Sequence, residues 1–219
     1  MFQNNLLMAA ASAGLPDAIV TYTTTASSTV NQNVYTFSSQ DISTAAANRT
    51  VIVGVVCHAD ALGAITSVTI GGNTATEVVY SQGPAAASEE CGIYTYALTT
   101  GTTADIVVTI SGSPHRCQIG VWAAYGIGDS DDTVTDIVLP FSQSITLSEG
   151  GVAVAVSMNN VPGGNVTSWG SDFTERYDVF VEPNTAASGA DSTGGGSKTV
   201  SVTWSSGGEA MIAAAWPKG

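Results

Sequence analysis

The sequence predicts an all-β fold: a jelly-roll-like β-sandwich built from two pseudo-repeated halves and preceded by a short N-terminal arm. Three observations lead to this prediction, namely β-branched runs of strand length, glycine-rich turns and an internal repeat. Residues 50–57 are apolar enough to be buried on both faces of a sheet, whereas residues 199–204 alternate apolar and polar side chains. Many short strands joined by glycine-rich turns are typical of a sandwich or a closed barrel.

Two short segments carry local turn signals. Gly71-Gly72-Asn73 separates two short strand-like runs and predicts a tight hairpin, because glycine readily adopts the positive φ that such turns require. Asp41 is a good helix N-cap. Residues 42–48 are therefore the one internal segment for which the sequence predicts a helical turn.

The internal repeat relates five stretches of the first half to five stretches of the second half in the same order. The offset between partners shrinks along the chain, which indicates a duplication followed by shortening of loops. The matched stretches are 51–55 with 152–156 and 65–68 with 166–169 at an offset of 101, 76–77 with 174–175 at 98, 106–110 with 200–204 at 94, and Ile119 with Ile212 at 93.

The repeat sets the predicted domain organisation. Residues 1–17 form the arm, and residues 18–219 form one sandwich domain with half-repeats at about 50–126 and 149–217. Each half has an apolar face that it cannot bury alone, so we expect the two halves to close over one shared core. Residues 126–148 are expected to form the connection, with one edge strand.

The charge balance excludes several classes of partner. The chain of 219 residues carries 5 Lys and Arg against 18 Asp and Glu, a formal net charge of −13. Nucleic acids and anionic membranes need clustered cations, so we expect neither as a partner. No apolar run reaches the ~18 residues of a membrane span, and the N-terminus lacks the cationic start of a signal peptide.

The cysteines lie in three separate apolar stretches, at Cys57, Cys91 and Cys117, without a C-x-x-C pair. This spacing indicates neither a disulfide framework nor a zinc site. We interpret the three as small buried hydrophobic residues, which fits folding in a reducing cytoplasm. A single bridge, Cys57–Cys117 or Cys91–Cys117, stays open as an alternative.

Four aspartates crowd the stretch 128–136. Carboxylates at alternate positions of a loop can bind Ca²⁺, but the sixth residue counted from the first aspartate is valine and the twelfth is proline, where an EF-hand has glycine and glutamate. A solvated acidic loop is the favoured interpretation and calcium the alternative, so no cofactor is expected. The four candidates are Asp129, Asp131, Asp132 and Asp136.

The sequence predicts a non-enzymatic protein without catalytic residues. His58 and His115 are its only histidines, and neither belongs to a recognisable dyad or metal-ligand spacing. Glu89 and Glu90 are adjacent carboxylates, but a glycosidase needs two at a controlled separation. Neither a nucleophile-elbow nor a phosphate-loop motif occurs.

Aromatic residues offer a further function, because exposed rings could stack on sugars as in carbohydrate-binding modules. Trp169 and Trp204 occupy repeat positions matched by Val68 and Ile110, which favours a core role for them. We expect most of the aromatic residues to be core. The others considered are Trp122, Trp216, Tyr80, Tyr94, Tyr96 and Tyr177.

The N-terminal arm contains apolar side chains ahead of the first strand. A segment this short is marginal as an isolated helix in water, so it should gain order only by packing. Packing on its own domain and docking on a neighbouring subunit stay open as alternatives. The candidate partner-binding residues are Phe2, Leu6, Leu7 and Met8.

Four phrases of the sequence resemble a group of β-sandwich virion proteins of tailed bacteriophages: 46–53, 67–72, 100–108 and the start, 1–8. The resemblance implies a particle-surface protein, a head decoration (cement) subunit in preference to a tail component. It implies virion proteins as partners, a homo-oligomer such as a trimer, and assembly in the host cytoplasm. The alternative is a receptor- or glycan-binding module of a tail fibre or of a cell-surface adhesin.

Overall fold

Antiparallel β-strands build the fold of the described residues, which confirms the predicted all-β class. The computed structural model describes residues 14–59, 63–83, 89–112, 114–159, 166–182, 185–205 and 207–219. Within these ranges no helix is long and apolar enough to cross a membrane. The strands are β1 (Ile19–Ser28), β2 (Val34–Asp41), β3 (Arg49–Ala59), β4 (Ile65–Ile70), β5 (Asn73–Thr74), β6 (Thr76–Gln82), β7 (Glu89–Tyr96), β8 (Thr103–Ile110), β9 (Pro114–Tyr125), β10 (Asp132–Asp136), β11 (Phe141–Asn159), β12 (Val166–Trp169), β13 (Thr174–Glu182), β14 (Thr185–Trp204) and β15 (Ala210–Trp216).

The first half of the chain, β1 to β9, forms two facing sheets. The inner sheet has the strand order β1-β9-β3-β7-β6, and the outer sheet has the order β2-β8-β4-β5. Alternate side chains of β3, such as Val53, pack with side chains of β8, such as Val108, in a cluster that we call the first-half core. β-Branched side chains suit this position because they pack well on a pleated surface.

The second half folds a single sheet back on itself. Its strand order is β10-β15-β11-β14-β12, with β13 beside β14. The long strands β11 and β14 bend together where their register shifts, between Leu147 and Gly151 on β11 and opposite Gly194 and Gly196 on β14. The outer portion, residues 141–147 and 197–204 with β12, thereby covers the inner portion and encloses the second-half core.

The two halves share one strand order. In the inner portion the order β10-β15-β11-β14-β13 corresponds to β1-β9-β3-β7-β6, and in the outer portion β11-β14-β12 corresponds to β2-β8-β4. The single long strand β11 corresponds to both β2 and β3, and the long strand β14 corresponds to both β7 and β8. The correspondence also reaches β1 and β2, where the sequence shows no match, so residues 126–148 hold more than the expected connection and edge strand.

Two of the five sequence matches are wrong by one residue. Val53 faces the first-half core, but its match at an offset of 101, Val154, faces the other half of the molecule. Residues of β3 and β11 that face the same layer differ instead by an even number of positions, as Ile52 and Val154 do, which both lie between the two halves. Ile119 and Ile212 are mismatched in the same way. A shift of one residue moves every side chain of a strand to the opposite face.

A third cluster, which we call the interface core, lies between the two inner layers. The expected single shared core is therefore wrong: each half encloses a core of its own, and the halves also bury a face against each other. The contacts are reciprocal, since β6 meets β10 and β15 while its counterpart β13 meets β1 and β9. This reciprocity is the pattern of an isologous two-fold interface.

One tryptophan links the halves at the centre of the interface core. Trp122 of β9 is fully buried, and its Nε1 donates a hydrogen bond of 3.0 Å to Oδ2 of Asp191 on β14. Arg176 of β13 donates to both carboxylate oxygens of Asp191, at 2.7 and 2.8 Å. The buried carboxylate thus accepts three hydrogen bonds from two side chains, which is the condition for burying it at little cost.

Of the two local turn predictions, one is confirmed and one is wrong. Ile70 pairs with Asn73 across Gly71 and Gly72, whose φ values of 58° and 80° are those of a tight hairpin. Residues 42–48 form no helix. Oδ1 of Asp41 does accept a hydrogen bond from the backbone N–H of Ser43, at 2.7 Å, but this closes a turn and not a helix.

The reason lies in the buried side chain of Arg49. Its guanidinium donates to the backbone carbonyls of Ile42 and Ser43, at 3.2 and 2.9 Å, so those carbonyls point away from a helical ladder. It also donates to three carbonyls of the β7–β8 loop, those of Leu98, Thr100 and Gly101, at 2.7 to 2.9 Å. One side chain therefore donates hydrogen bonds to two of the loops that connect the inner and outer sheets of the first half.

Candidate functional site

The molecule has two distinct ends. At one end, which we call the loop end, β1 leads to β2 and β10 leads to β11. The two halves meet there, since the charge of Glu89 in the first half acts on Glu209 in the second half. At the opposite end Gly126 donates its N–H to the carbonyl of Asn48 at 3.1 Å.

Exposed apolar side chains concentrate at the loop end. Among the described residues, six of the eight large apolar side chains that are exposed lie there. Three are consecutive in the β10–β11 loop, where Val138 is 70% exposed. The corresponding β1–β2 loop of the first half exposes Val30 by 59%. We call these residues the loop-end apolar set: Val30, Val34, Ile137, Val138, Leu139 and Phe180.

Buried acids lie under the loop end. Oε1 of Glu89 on β7 is 2.7 Å from Nδ1 of His58, its cross-strand partner on β3. Glu90 is 2% exposed, and burial raises its pKa above the usual range of a glutamate. Burial, and then the charge of Glu89, also raise the pKa of Glu209. Desolvation disfavours the charged form of a carboxyl, so burial at this end of the molecule makes Glu90 and Glu209 harder to ionise.

The His58–Glu89 pair is a feature that the sequence analysis missed. The two residues are far apart in the sequence, and only the register of β3 against β7 places them opposite each other. A carboxylate on one ring nitrogen of a histidine fixes the tautomer and the orientation of the ring. The side chain of the other histidine, His115, lies outside the described side chains.

An open cleft of about 660 Å³ lies at the opposite end of the molecule. Residues of both halves line it. Tyr96 and Trp216 contribute aromatic surface, while Glu77 and Asp129 contribute carboxylates. Three threonines, Thr50, Thr76 and Thr95, also line the cleft.

The four calcium candidates are not brought together. Asp131 accepts a hydrogen bond from Ser148, and Asp132 accepts one from the backbone N–H of Thr146 at 2.7 Å. Asp136 is buried, and its carboxylate accepts from two backbone N–H groups and from Gln143. Asp129 lines the cleft. Within the described residues, no three His, Cys, Asp or Glu side chains are grouped so that they could hold a metal ion.

The prediction that most of the aromatic residues are core is confirmed for the tryptophans, which are all at most 9% exposed. Trp169 and Trp204 fill the second-half core, and Trp122 and Trp216 lie in the interface core. Tyr94 and Tyr177 are also buried. The candidate arm residues Phe2, Leu6, Leu7 and Met8 lie outside the described residues.

Comparison with known proteins finds no matching family and a weak similarity among solved structures. No protein-family model matches the chain, and no curated protein matches it. Among solved structures, the chain is similar to one described as the crystal structure of the PBSX exported protein XepA. The two are 14% identical, the match covers 90% of this chain and 86% of that chain, and the TM-score is 0.26. At that TM-score the similarity supports no conclusion about fold or function.

Proposed function

We propose that this protein is a non-enzymatic structural component of a bacteriophage virion that decorates or stabilises the particle, with the head favoured over the tail. The observation that carries the proposal is the loop-end apolar set, which exposes Val138 by 70% and Val30 by 59%. Exposed apolar side chains that collect in one region mark protein contact surfaces. The partners are other virion proteins and further copies of this chain, with a trimer as the first candidate assembly.

The rigid frame under this surface supports the proposal. Loops that carry recognition residues are usually positioned by a stiff scaffold. Here two sandwiches with their own cores are joined by a third core, and the buried Asp191 ties Trp122 of one half to Arg176 of the other. A net charge of −13 keeps such a protein soluble before assembly.

The experiment is incorporation in trans. The gene for this chain would be deleted from the phage that encodes it, and the infected bacteria would express a tagged copy of the chain from a plasmid. Purified particles would then be assayed by quantitative mass spectrometry. We expect hundreds of copies per particle for a head protein. If the purified particles contain none of the tagged wild-type chain, the proposal is contradicted.

Two matched variants test the surface. The double variant Val138→Asp/Leu139→Asp places charges in the loop-end apolar set and should lower incorporation at least ~10-fold, because burying an unpaired charge in an interface costs several kcal/mol. Ile19→Asp changes a residue that is 57% exposed on β1 near the opposite end and should leave incorporation unchanged. Equal incorporation of both variants would exclude the loop end as the contact surface.

Deletion of residues 1–13 tests the predicted arm separately. We expect the deletion to abolish attachment while circular dichroism shows an intact β fold. Attachment that survives the deletion would remove the arm from the mechanism and leave the loop end as the contact.

A receptor- or glycan-binding module is the second candidate, and the cleft lined by Tyr96, Glu77 and Asp129 is the observation that favours it. Glycan-array binding that is lost in Glu77→Gln/Asp129→Asn would support this candidate. A decoration protein should bind no glycan on the array.

A further inference from the structure

The three cysteines lie on neighbouring strands of the inner sheet of the first half. Cys57 on the central strand β3 is directly opposite Cys117 on β9. On the other side of β3, Cys91 of β7 is opposite Val56. All three are buried thiols.

The two faces of the sheet separate one cysteine from the other two. Cys57 and Cys117 both point into the first-half core, whereas Cys91 points into the interface core. Side chains on opposite faces of a strand cannot reach each other across the backbone. The structure therefore decides between the two bridges that the sequence leaves open, because Cys91 lies on the wrong face for Cys117.

The remaining pair has the geometry that a disulfide requires. The Sγ atoms of Cys57 and Cys117 are 3.1 Å apart, with one thiol donating to the other. Directly opposite residues of antiparallel strands have Cα atoms about 4.5 to 5.5 Å apart, and this range lies within the ~4.4 to 6.8 Å found for disulfides. Closing the bond therefore needs a small rotation of two side chains and no movement of the sheet.

We propose that Cys57 and Cys117 form a disulfide when the chain folds in the presence of a small-molecule disulfide such as oxidised glutathione, and that Cys91 stays a thiol. The thiolate of one cysteine attacks glutathione disulfide and releases one glutathione. The second thiolate attacks the protein sulfur of the mixed disulfide and releases the other. Two protein thiols lose two protons and two electrons, and one glutathione disulfide becomes two glutathione molecules.

Burial sets the timing of this reaction. Burial raises the pKa of Cys57 well above that of a free thiol, and the thiolate is the reactive form. The bond therefore forms while the chain folds, before the first-half core closes, and the closed core then shields it from reductants. The inference is independent of the proposed function, since it depends only on the redox state of the compartment.

The test uses the full chain refolded from guanidinium with either dithiothreitol or a mixture of reduced and oxidised glutathione. After oxidative refolding we expect one alkylatable thiol, a mass lower by about 2 Da, and a Tm about 5 °C or more above that of the reduced protein, because the bond closes a long loop. Three alkylatable thiols, or loss of the native near-ultraviolet circular dichroism on oxidation, would overturn the proposal.

Single substitutions identify the partners. Oxidised Cys91→Ala should have no alkylatable thiol and should keep the rise in Tm. Oxidised Cys117→Ala and Cys57→Ala should each have two thiols and no rise. Because each variant is compared with its own reduced form, the cost of the substitution cancels. A bond that survives in Cys57→Ala would involve Cys91 and would contradict the assignment.

Discussion

At one corner of the first half the chain passes between the inner and outer sheets through two loops, 42–48 and 97–102, whereas in the second half β11 and β14 pass through the corresponding corner as unbroken strands. The carbonyls of these loops lack the neighbouring strand that would donate hydrogen bonds to them in a sheet. Arg49 donates five hydrogen bonds to them instead. The strands bend instead at glycines, where Gly194 and Gly196 have φ values of 110° and 89°. The same topology is thus reached by a buried cation in one half and by backbone freedom in the other.

The first-half and second-half cores also differ, in the sizes of the side chains that fill them. Valine and isoleucine from both sheets fill the first-half core. In the second-half core, Ala153 and Ala155 face bulky partners such as Trp204 and Phe141. Small side chains on one layer against large ones on the other still fill the space, since close packing depends on summed volume. One duplicated architecture therefore tolerates two different distributions of side-chain size.

The largest effect should follow from Arg49→Met. The substitution keeps an apolar stem of similar length but removes donors from five buried or half-buried carbonyls, and each unsatisfied group is costly. We expect the free energy of unfolding to fall by about 4 kcal/mol, measured by urea denaturation. Arg49→Lys should lose less, because a lysine retains three donors. If both variants lose the same free energy of unfolding, the hydrogen bonds of the guanidinium do not stabilise the two loops.

Gly120→Ala tests the interface between the halves. A Cβ at this position would collide with the ring of Tyr177, which is buried in the interface core. We expect a loss of about 2 kcal/mol, as for other overpacked cores. Combining Gly120→Ala with Tyr177→Leu should recover part of that loss in a double-mutant cycle. Additive losses would show that the two sites do not touch.

Gly194→Ala tests the glycine corner of the second half. A Cβ there meets no atom within 4 Å, so the cost comes only from holding alanine at a φ of 110°. We expect a loss of about 1 to 2 kcal/mol, smaller than the loss at Arg49. Gly14→Ala is the matched control, since a Cβ at Gly14 also meets nothing. A neutral Gly194→Ala would show that the bend does not depend on glycine.

The smallest effect concerns the loop end, where the first half buries Glu90. Burial raises the folded pKa of Glu90 above the ordinary value of 4.5. Its contribution to stability is therefore fully present below pH 4.5 and is lost as the pH rises through the folded pKa. Glu90→Gln should stabilise the protein at pH 7, with no advantage at pH 4, in urea titrations at the two pH values.

Glu149→Gln, at an exposed position, is the control for that experiment and should not differ from wild type at either pH. An advantage of Glu90→Gln that is the same at pH 4 and pH 7 would mean that the ionised carboxyl is not the cause.

The amino-acid pattern alone determined the class of fold and much of its organisation. β-Branched runs, the Gly71-Gly72 hairpin and the duplicated order of strands follow from local preference and periodicity, which act over a few residues. Burial of Trp169 and Trp204 followed from their repeat positions as well. The prediction that the three cysteines are buried is confirmed, because each lies within an apolar strand.

Tertiary structure decided what depends on register and on contacts between distant residues. Alternating valines look alike whether a match is in phase or shifted by one, so only strand pairing showed that Val53 and Val154 face different layers. The five carbonyls around Arg49, the His58–Glu89 pair and the facing thiols of Cys57 and Cys117 join segments that are remote in sequence. No local propensity encodes such contacts, because they exist only once the sheets have stacked.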